Sequence, residues 1–278
     1  MRRRSLLLGT LAAAAPLAGR AQGALAAGPL RLGADIALVD SGLAGALRQA
    51  FGRDTGIGVQ LVRSPARTLL DALAAGELDA GLANAPDAEA QLDSQGLVYD
   101  RQPIASGEFV LVGPAGATRA RGRPGSKANA ASHSAAERSI AAALGRLRDA
   151  ASAAPGGFNF LSANDGSGAH FAELAAWRRA GIAPQAPWYR SAEPGSSLVA
   201  EARARGAYAL VERGAWTLQG GAPLALRVAG DPAGIEAIHA MRSFRSPHPA
   251  AKLFIAWIAG GRGRAVVVRQ RGYRALRG

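Results

Sequence analysis

Phe160 to His170 reads Phe-Leu-Ser-Ala-Asn-Asp-Gly-Ser-Gly-Ala-His. A short apolar segment enters a turn of small polar residues, and a helical pattern follows from Phe171 to Arg179. A strand that feeds a helix N-terminus through Ser and Gly presents unpaired backbone N–H groups at the positive end of the helix dipole. Such a junction holds anions. Ser167 and Gly168 are therefore candidate ligand donors, and Ser167 also reads as a plain N-cap. Asn164 offers an amide, although Asn in such a turn reads first as a turn former. Ser41 and Gly42 open a helical pattern in the same way. Gly195-Ser196-Ser197 opens another and reads first as a cap.

Catalysis has little support. Asp165, Ser167 and His170 lie close together on a turn and a helix start, which does not by itself create a nucleophile–base geometry. The chain has no Gly-x-Ser-x-Gly elbow and no His-Glu-x-x-His helix. It has no cysteine, so disulfides and thiolate metal sites are excluded, and its four histidines are scattered. No cofactor is expected.

Alternating segments position these residues. Strands are expected at Leu30 to Asp35, Val59 to Arg63 and Ala80 to Ala83. Helices are expected at Gly42 to Phe51, with Asp40-Ser41 as N-cap, at Ala66 to Ala75, and from Pro86 to Gln95. This βαβαβ order predicts a parallel sheet with ligands at the carboxyl ends of its strands. Glu108 to Pro114 reads as a strong strand. Residues 115–134 lack apolar periodicity and read as an exposed basic loop. A second series follows: helix 139–150, strand 157–162, helix 167–180, helix 196–205, strands 207–211, 224–229 and 235–241, and helix 249–260. Two α/β lobes with crossings near 108–114 and 224–242 predict a clamshell with its ligand in the cleft. The lobe boundaries are 27–113 with 231–278, and 114–230.

The first 26 residues have a basic start, Arg2-Arg3-Arg4, then an Ala/Leu run and a small-x-small site at Ala24-Leu25-Ala26. They read as an export leader cleaved near Ala26, which places the mature chain in the periplasm. Consecutive arginines suit the twin-arginine route, and an ordinary Sec leader is the alternative. Cleavage takes four arginines from the 33 basic residues and none of the 20 acids, leaving 29 against 20, or +9 rather than +13. This charge alone does not make a nucleic-acid binder: no aromatic–basic stripe accompanies it, and export argues against it.

The ordered segments resemble the periplasmic tungstate-binding proteins of ABC transporters, within the type II solute-binding superfamily. Asp40-Ser41-Gly42-Leu43 resembles the family's first-loop motif, and Asn84-Ala85-Pro86 its His-Ala-Pro. Phe109 to Pro114 resembles the first crossing strand, and Asp165 to His170 the Asp-x-Ser-Gly-Thr-His turn. Trp188-Tyr189, Gly206 to Leu210, Arg213-Gly214 and Gly230-Asp231-Pro232 follow in family order. The resemblance spans about residues 30–260. It implies an α/β, two-lobed type II fold, each lobe a mostly parallel sheet flanked by helices, joined by two crossing strands. It also implies a non-enzymatic, monomeric solute-binding protein with a small oxyanion as ligand and an ABC permease as partner.

Departures concentrate at the ligand. Asp35-Ile36-Ala37-Leu38-Val39 replaces the Thr/Ser run of the first loop. Ala163 stands for the family's arginine, Asn164 for the glycine after it, and Ala169 for its threonine. Arg63-Ser64-Pro65 replaces a Gly-Thr-Gly. Asn84 stands for the family histidine at a strand end that faces the cleft, and Ser64 is a weaker candidate of that kind. Charge-assisted hydrogen bonds contribute about 1.5–3 kcal/mol each, so these losses weaken oxyanion binding by orders of magnitude unless compensated. Asp35, pointed into the cleft, would repel an anion further. Three expectations stand: Arg63 or Arg67 supplies a compensating cation; the pocket takes a different ligand; or high-affinity binding is lost and a sensing or partner-binding role remains.

Overall fold

The computed structural model describes residues 28–115, 138–154, 156 and 159–276. The leader, residues 1–26, and the basic loop beyond Ala115 lie outside the described residues. In the first lobe, strands β1 (Leu30–Asp35), β2 (Val59–Ser64) and β3 (Ala80–Ala83) form a parallel sheet in the order β2-β1-β3. Leu30 is in register with Val59 and Leu32 with Ala80. Helices α2 (Leu43–Thr55) and α3 (Ala66–Ala75) make the crossovers, and α4 (Pro86–Ser94) follows β3. Leu43, Leu47 and Phe51 on α2 pack with Leu30 and Leu32, while Leu69 and Leu73 on α3 cover the opposite face. Gly81 admits α3 closely, because a Cβ there would stand 2.7 Å from Leu73 Cδ1.

Strand β4 (Val98–Pro114) joins the halves. Its first part pairs antiparallel with β9 (Ile235–Ser243), which also pairs with β3. Its last part, Phe109 to Pro114, pairs with β7 (Ala209–Glu212) and β8 (Leu224–Val228). Phe109 and Leu111 enter one buried cluster, while Val110 and Val112 enter another. Both faces of this strand are buried, so its sequence is an apolar run rather than an alternation. The second lobe is completed by β5 (Phe160–Ser162) and β6 (Tyr189–Ser191), which are parallel, and by a bridge from Phe160 to Tyr208. Helices α5 (Ile140–Ala153), α6 (Gly168–Ala180), α7 (Leu198–Arg205) and α8 (Arg213–Gln219) flank it. Helices α9 (Pro249–Ala259) and α10 (Gly261–Val267), then strand β10 (Arg274–Ala275) on the edge of β4, return the chain to the first lobe.

The expected elements are present, with informative differences. Strand β4 begins ten residues earlier than its apolar signal, because residues 98–107 are held by pairing to β9. The helix expected at Gly42 starts at Leu43, and Gly42 itself is the N-cap, with φ +82°. Asp40 and Ser41 instead finish a short helix, α1 (Ile36–Asp40), which the sequence reading did not anticipate.

Candidate ligand-binding site

The turn before α6 is built by its own polar side chains. Ser167 is the N-cap and its Oγ accepts from His170 N at 3.3 Å. Asp165 Oδ1 accepts from Ser167 N at 2.9 Å, and His170 Nδ1 accepts from Gly166 N at 3.1 Å. An accepting Nδ1 requires that nitrogen unprotonated, and burial does lower the His170 pKa. All three side chains are thus spent on the backbone, and none is paired as nucleophile and base. Asn164 adopts φ +45° and donates Nδ2–H to Ser191 Oγ at 2.9 Å, which is its turn-forming role.

The first N–H of α6 is satisfied from the other lobe. Gly168 N donates to Asp35 Oδ2 at 3.0 Å, while Asp35 Oδ1 accepts from Ala37 N at 3.1 Å and caps α1. Ala66 N, at the start of α3, is a third backbone donor to this carboxylate. Asp35 is completely buried. Burial pushes its pKa up to about 6, against the opposing effect of the three N–H donors, and the Asp165 charge raises it further. Asn84, at the end of β3, is also buried, and its Oδ1 has no hydrogen-bond partner. It lies against Gly168, where a Cβ would come within 1.9 Å of Oδ1, so only glycine permits this approach. The neighbouring turn is fixed by buried Glu89, which accepts from Ala85 N at 2.8 Å and pairs with Arg101 and His239.

Beside this junction lies a cavity of ≈ 30 Å³. Its walls include Ile36, Ala163, Ser167, Ala169, Ser196 and Glu212. Asp40, Asp165 and Glu193 also line it, and among the described residues no arginine or lysine does. Ala163 and Ala169 thus face the space where longer side chains would stand. Glu212 is buried, with its pKa pushed up to about 8 by burial, although Tyr273 opposes the shift. The Tyr273 hydroxyl lies 2.6 Å from Glu212 Oε2 and 2.5 Å from Ser41 Oγ, and Ser41 Oγ donates to Leu38 O at 3.1 Å. A proton on Glu212 lets this chain of donors run in one direction from lobe to lobe. Neither Glu212 nor Tyr273 stood out in the sequence. Glycines mark the packing: a Cβ at Gly214 would fall 2.6 Å from the Tyr273 ring, and one at Gly107 2.8 Å from Glu212 Oε1.

The remaining candidates are placed as follows. Ser41 is committed to Leu38, Tyr273 and a 3.4 Å contact from Leu43 N, and Gly42 N donates to Val39 O. Ser64 Oγ donates to Pro65 O at 3.4 Å. Arg63 forks onto Asp40 at 2.8 and 2.9 Å and donates to Gly195 O and Ser196 O across the cleft. Its guanidinium latches the lobes and does not line the cavity. The Arg67 guanidinium lies over the Phe171 ring at 5.8 Å, and the Arg67 backbone N–H donates to Gly166 O at 3.0 Å. Gln219 Nε2 adds a further crossing to Asp40 O at 2.8 Å. The lobes are therefore in direct contact. Among the described residues no cluster of His, Asp or Glu is suited to a metal ion, and no helix is long and apolar enough to cross a membrane.

Comparisons with known proteins agree with this architecture. A family model for the LysR substrate binding domain matches residues 23–156. A tungstate-binding protein TupA from Peptoclostridium acidaminophilum is 29% identical over 199 residues, covering 71% of this chain and 64% of the relative. A putative ABC transporter anion-binding protein from Haloferax volcanii is 29% identical over 186 residues, covering 66% of this chain and 49% of the relative. The aligned region is thus between about half and two thirds of these relatives' length. The crystal structure of the tungstate ABC transporter from Geobacter sulfurreducens superposes with a TM-score of 0.68 at 24% identity, over 87% of this chain and 98% of that one. The chain has the type II periplasmic solute-binding fold and is similar to tungstate- and anion-binding components of ABC transporters. No enzymatic family is indicated.

Proposed function

We propose that this chain is an extracytoplasmic solute-binding protein of an ABC uptake system, which closes two lobes on a small oxyanion and delivers it to a permease. The lobes are residues 27–113 with 231–278, and 114–230. The observation that carries this reading is the junction at Gly168: a helix N-terminus in one lobe donates to a carboxylate of the other, with a small cavity alongside. Anions belong at such a site, because the first N–H groups of a helix have no partner within it and carry its partial positive charge. The anion-binding relatives support the same reading. Export through the 1–26 leader fits the location it requires.

Calorimetric titration of the leader-free protein with tungstate, molybdate, sulfate and phosphate, carried to millimolar anion, tests it. Saturable heat with at least one is expected. No heat with any, from a folded sample, removes the oxyanion reading. A second reading, a sensing or partner-binding protein on the same scaffold, is favoured by one observation: among the described residues the cavity walls hold several carboxylates and no cation. Genes for a permease and ATPase beside this one would support transport, whereas a histidine kinase or cyclase would support sensing.

A further inference from the structure

The anion junction is already filled, by the protein itself. Asp35 has no surface exposure, yet it shares one carboxylate between two lobes, with Oδ1 on Ala37 N and Oδ2 on Gly168 N. A buried carboxylate held by backbone N–H groups at the start of α6 does what a bound oxyanion would do there: it satisfies donors that have no helical partner. Two features set this junction apart from an ordinary cap. Glycine at 168 lets Asn84 approach α6, and the buried Asn84 Oδ1 beside it is an unpartnered acceptor, which adds to the negative lining that an incoming anion meets. The cavity adjoining Ser167 then provides the space into which a larger group would extend.

We infer that the Asp35 carboxylate is a built-in anion occupying the oxyanion seat at the N-terminus of α6, and that it determines which solutes the cleft accepts. An incoming oxyanion must take Gly168 N from Asp35 and then lie beside the displaced carboxylate. Doubly charged oxyanions are disfavoured most, and protonation of Asp35 relieves the conflict. The charged and titratable groups around it do not offset this. Asp165 faces it from the α6 turn, and Glu212 with Tyr273 from β7 and the C-terminal segment. Arg63 on β2 is the facing cation, and it is forked onto Asp40. Arg67 on α3 lies over Phe171.

This inference rests on the oxyanion reading above, and the test separates the two. Tungstate is titrated calorimetrically at pH 7.5 into the parent, Asp35→Ser and Asp35→Asn. Both variants are expected to bind tungstate about tenfold or more tighter than the parent, because no charge-assisted bond to a carboxylate has to be surrendered. Asn keeps the shape of the side chain and an acceptor for Ala37 N, so it carries the test should the Ser variant melt early. Equal affinity in all three overturns the inference and leaves the oxyanion reading standing. Absence of binding in all three, with folded protein, overturns both.

Discussion

Two strand–turn–helix junctions meet at the cleft, and they differ in one respect. Before α6, Ser167 caps with a neutral hydroxyl that serves its own helix at His170 N and adds no charge. Before α1, Asp35 caps with a carboxylate, and its second oxygen reaches Gly168 N in the other lobe. A neutral cap leaves the positive end of its helix open to a ligand, whereas a charged cap can neutralise a helix other than its own. One residue type at the end of β1 thereby changes what the opposite lobe can bind.

The largest effect that would sharpen this contrast is a pH dependence of stability. Asp35 and Glu212 have folded pKa values of about 6 and about 8, above their ordinary 3.8 and 4.5, and Glu173 is likewise raised from 4.5 to about 7. A carboxyl raised by folding gives its full stability below the unfolded value, and that stability is lost as pH rises to the folded value. Asp79 and Glu108 are lowered, so their effect lies at more acidic pH, outside this window, whereas within it Glu236, raised to about 7, adds to the trend and His170, lowered by burial, opposes it below 6.5. The melting temperature should fall by about 5 °C or more between pH 5 and pH 8.5, since one pKa unit is about 1.4 kcal/mol and 1 kcal/mol is about 2–4 °C for this size. Asp35→Asn should flatten the acidic part of that curve. A melting temperature that rises over this range would contradict the assignment.

Gly168→Ala attacks the seat sterically. It forces a Cβ onto Asn84 Oδ1 and should destabilise by about 1–3 kcal/mol, read by denaturant midpoint. Pairing it with Asn84→Ala should restore much of that loss, and a simply additive double variant would show that the two residues do not press on each other. Ser167→Ala removes the neutral cap and should cost about 1 kcal/mol by the same measurement. Smallest is Arg63→Met, which breaks a partly exposed pair with Asp40 and should change stability by less than about 1 kcal/mol. Its clearer effect should be faster proteolysis of the unliganded cleft, because the contacts to Gly195 and Ser196 are lost.

Much of the fold was legible because its elements are long, periodic or capped. Helix α3 occupies the expected span, and the anion turn before α6 follows from Ser, Gly and the apolar strand before it. What escaped notice depends on partners distant in sequence. Residues 98–107 are a strand only because β9 lies beside them, and α1 is too short for periodicity to register. Asp35 was legible as a charge but not as a link, because its partner Gly168 is 133 residues away and a backbone N–H has no sequence signature. The Glu212–Tyr273–Ser41 chain joins three separate segments and left the same lack of signal. Arg63 reads from sequence as a candidate cation for the cleft, but Asp40 reads as a helix cap and part of the first-loop motif, and nothing in the sequence pairs the two.

The most direct test of the internal anion is the pH dependence of tungstate affinity in the unmodified chain, measured by calorimetry between pH 7.5 and 8.5. Because only the fraction with a neutral Asp35 offers an uncontested seat, affinity should fall with rising pH by up to about tenfold per unit. An affinity that stays constant or increases over this range would contradict the account.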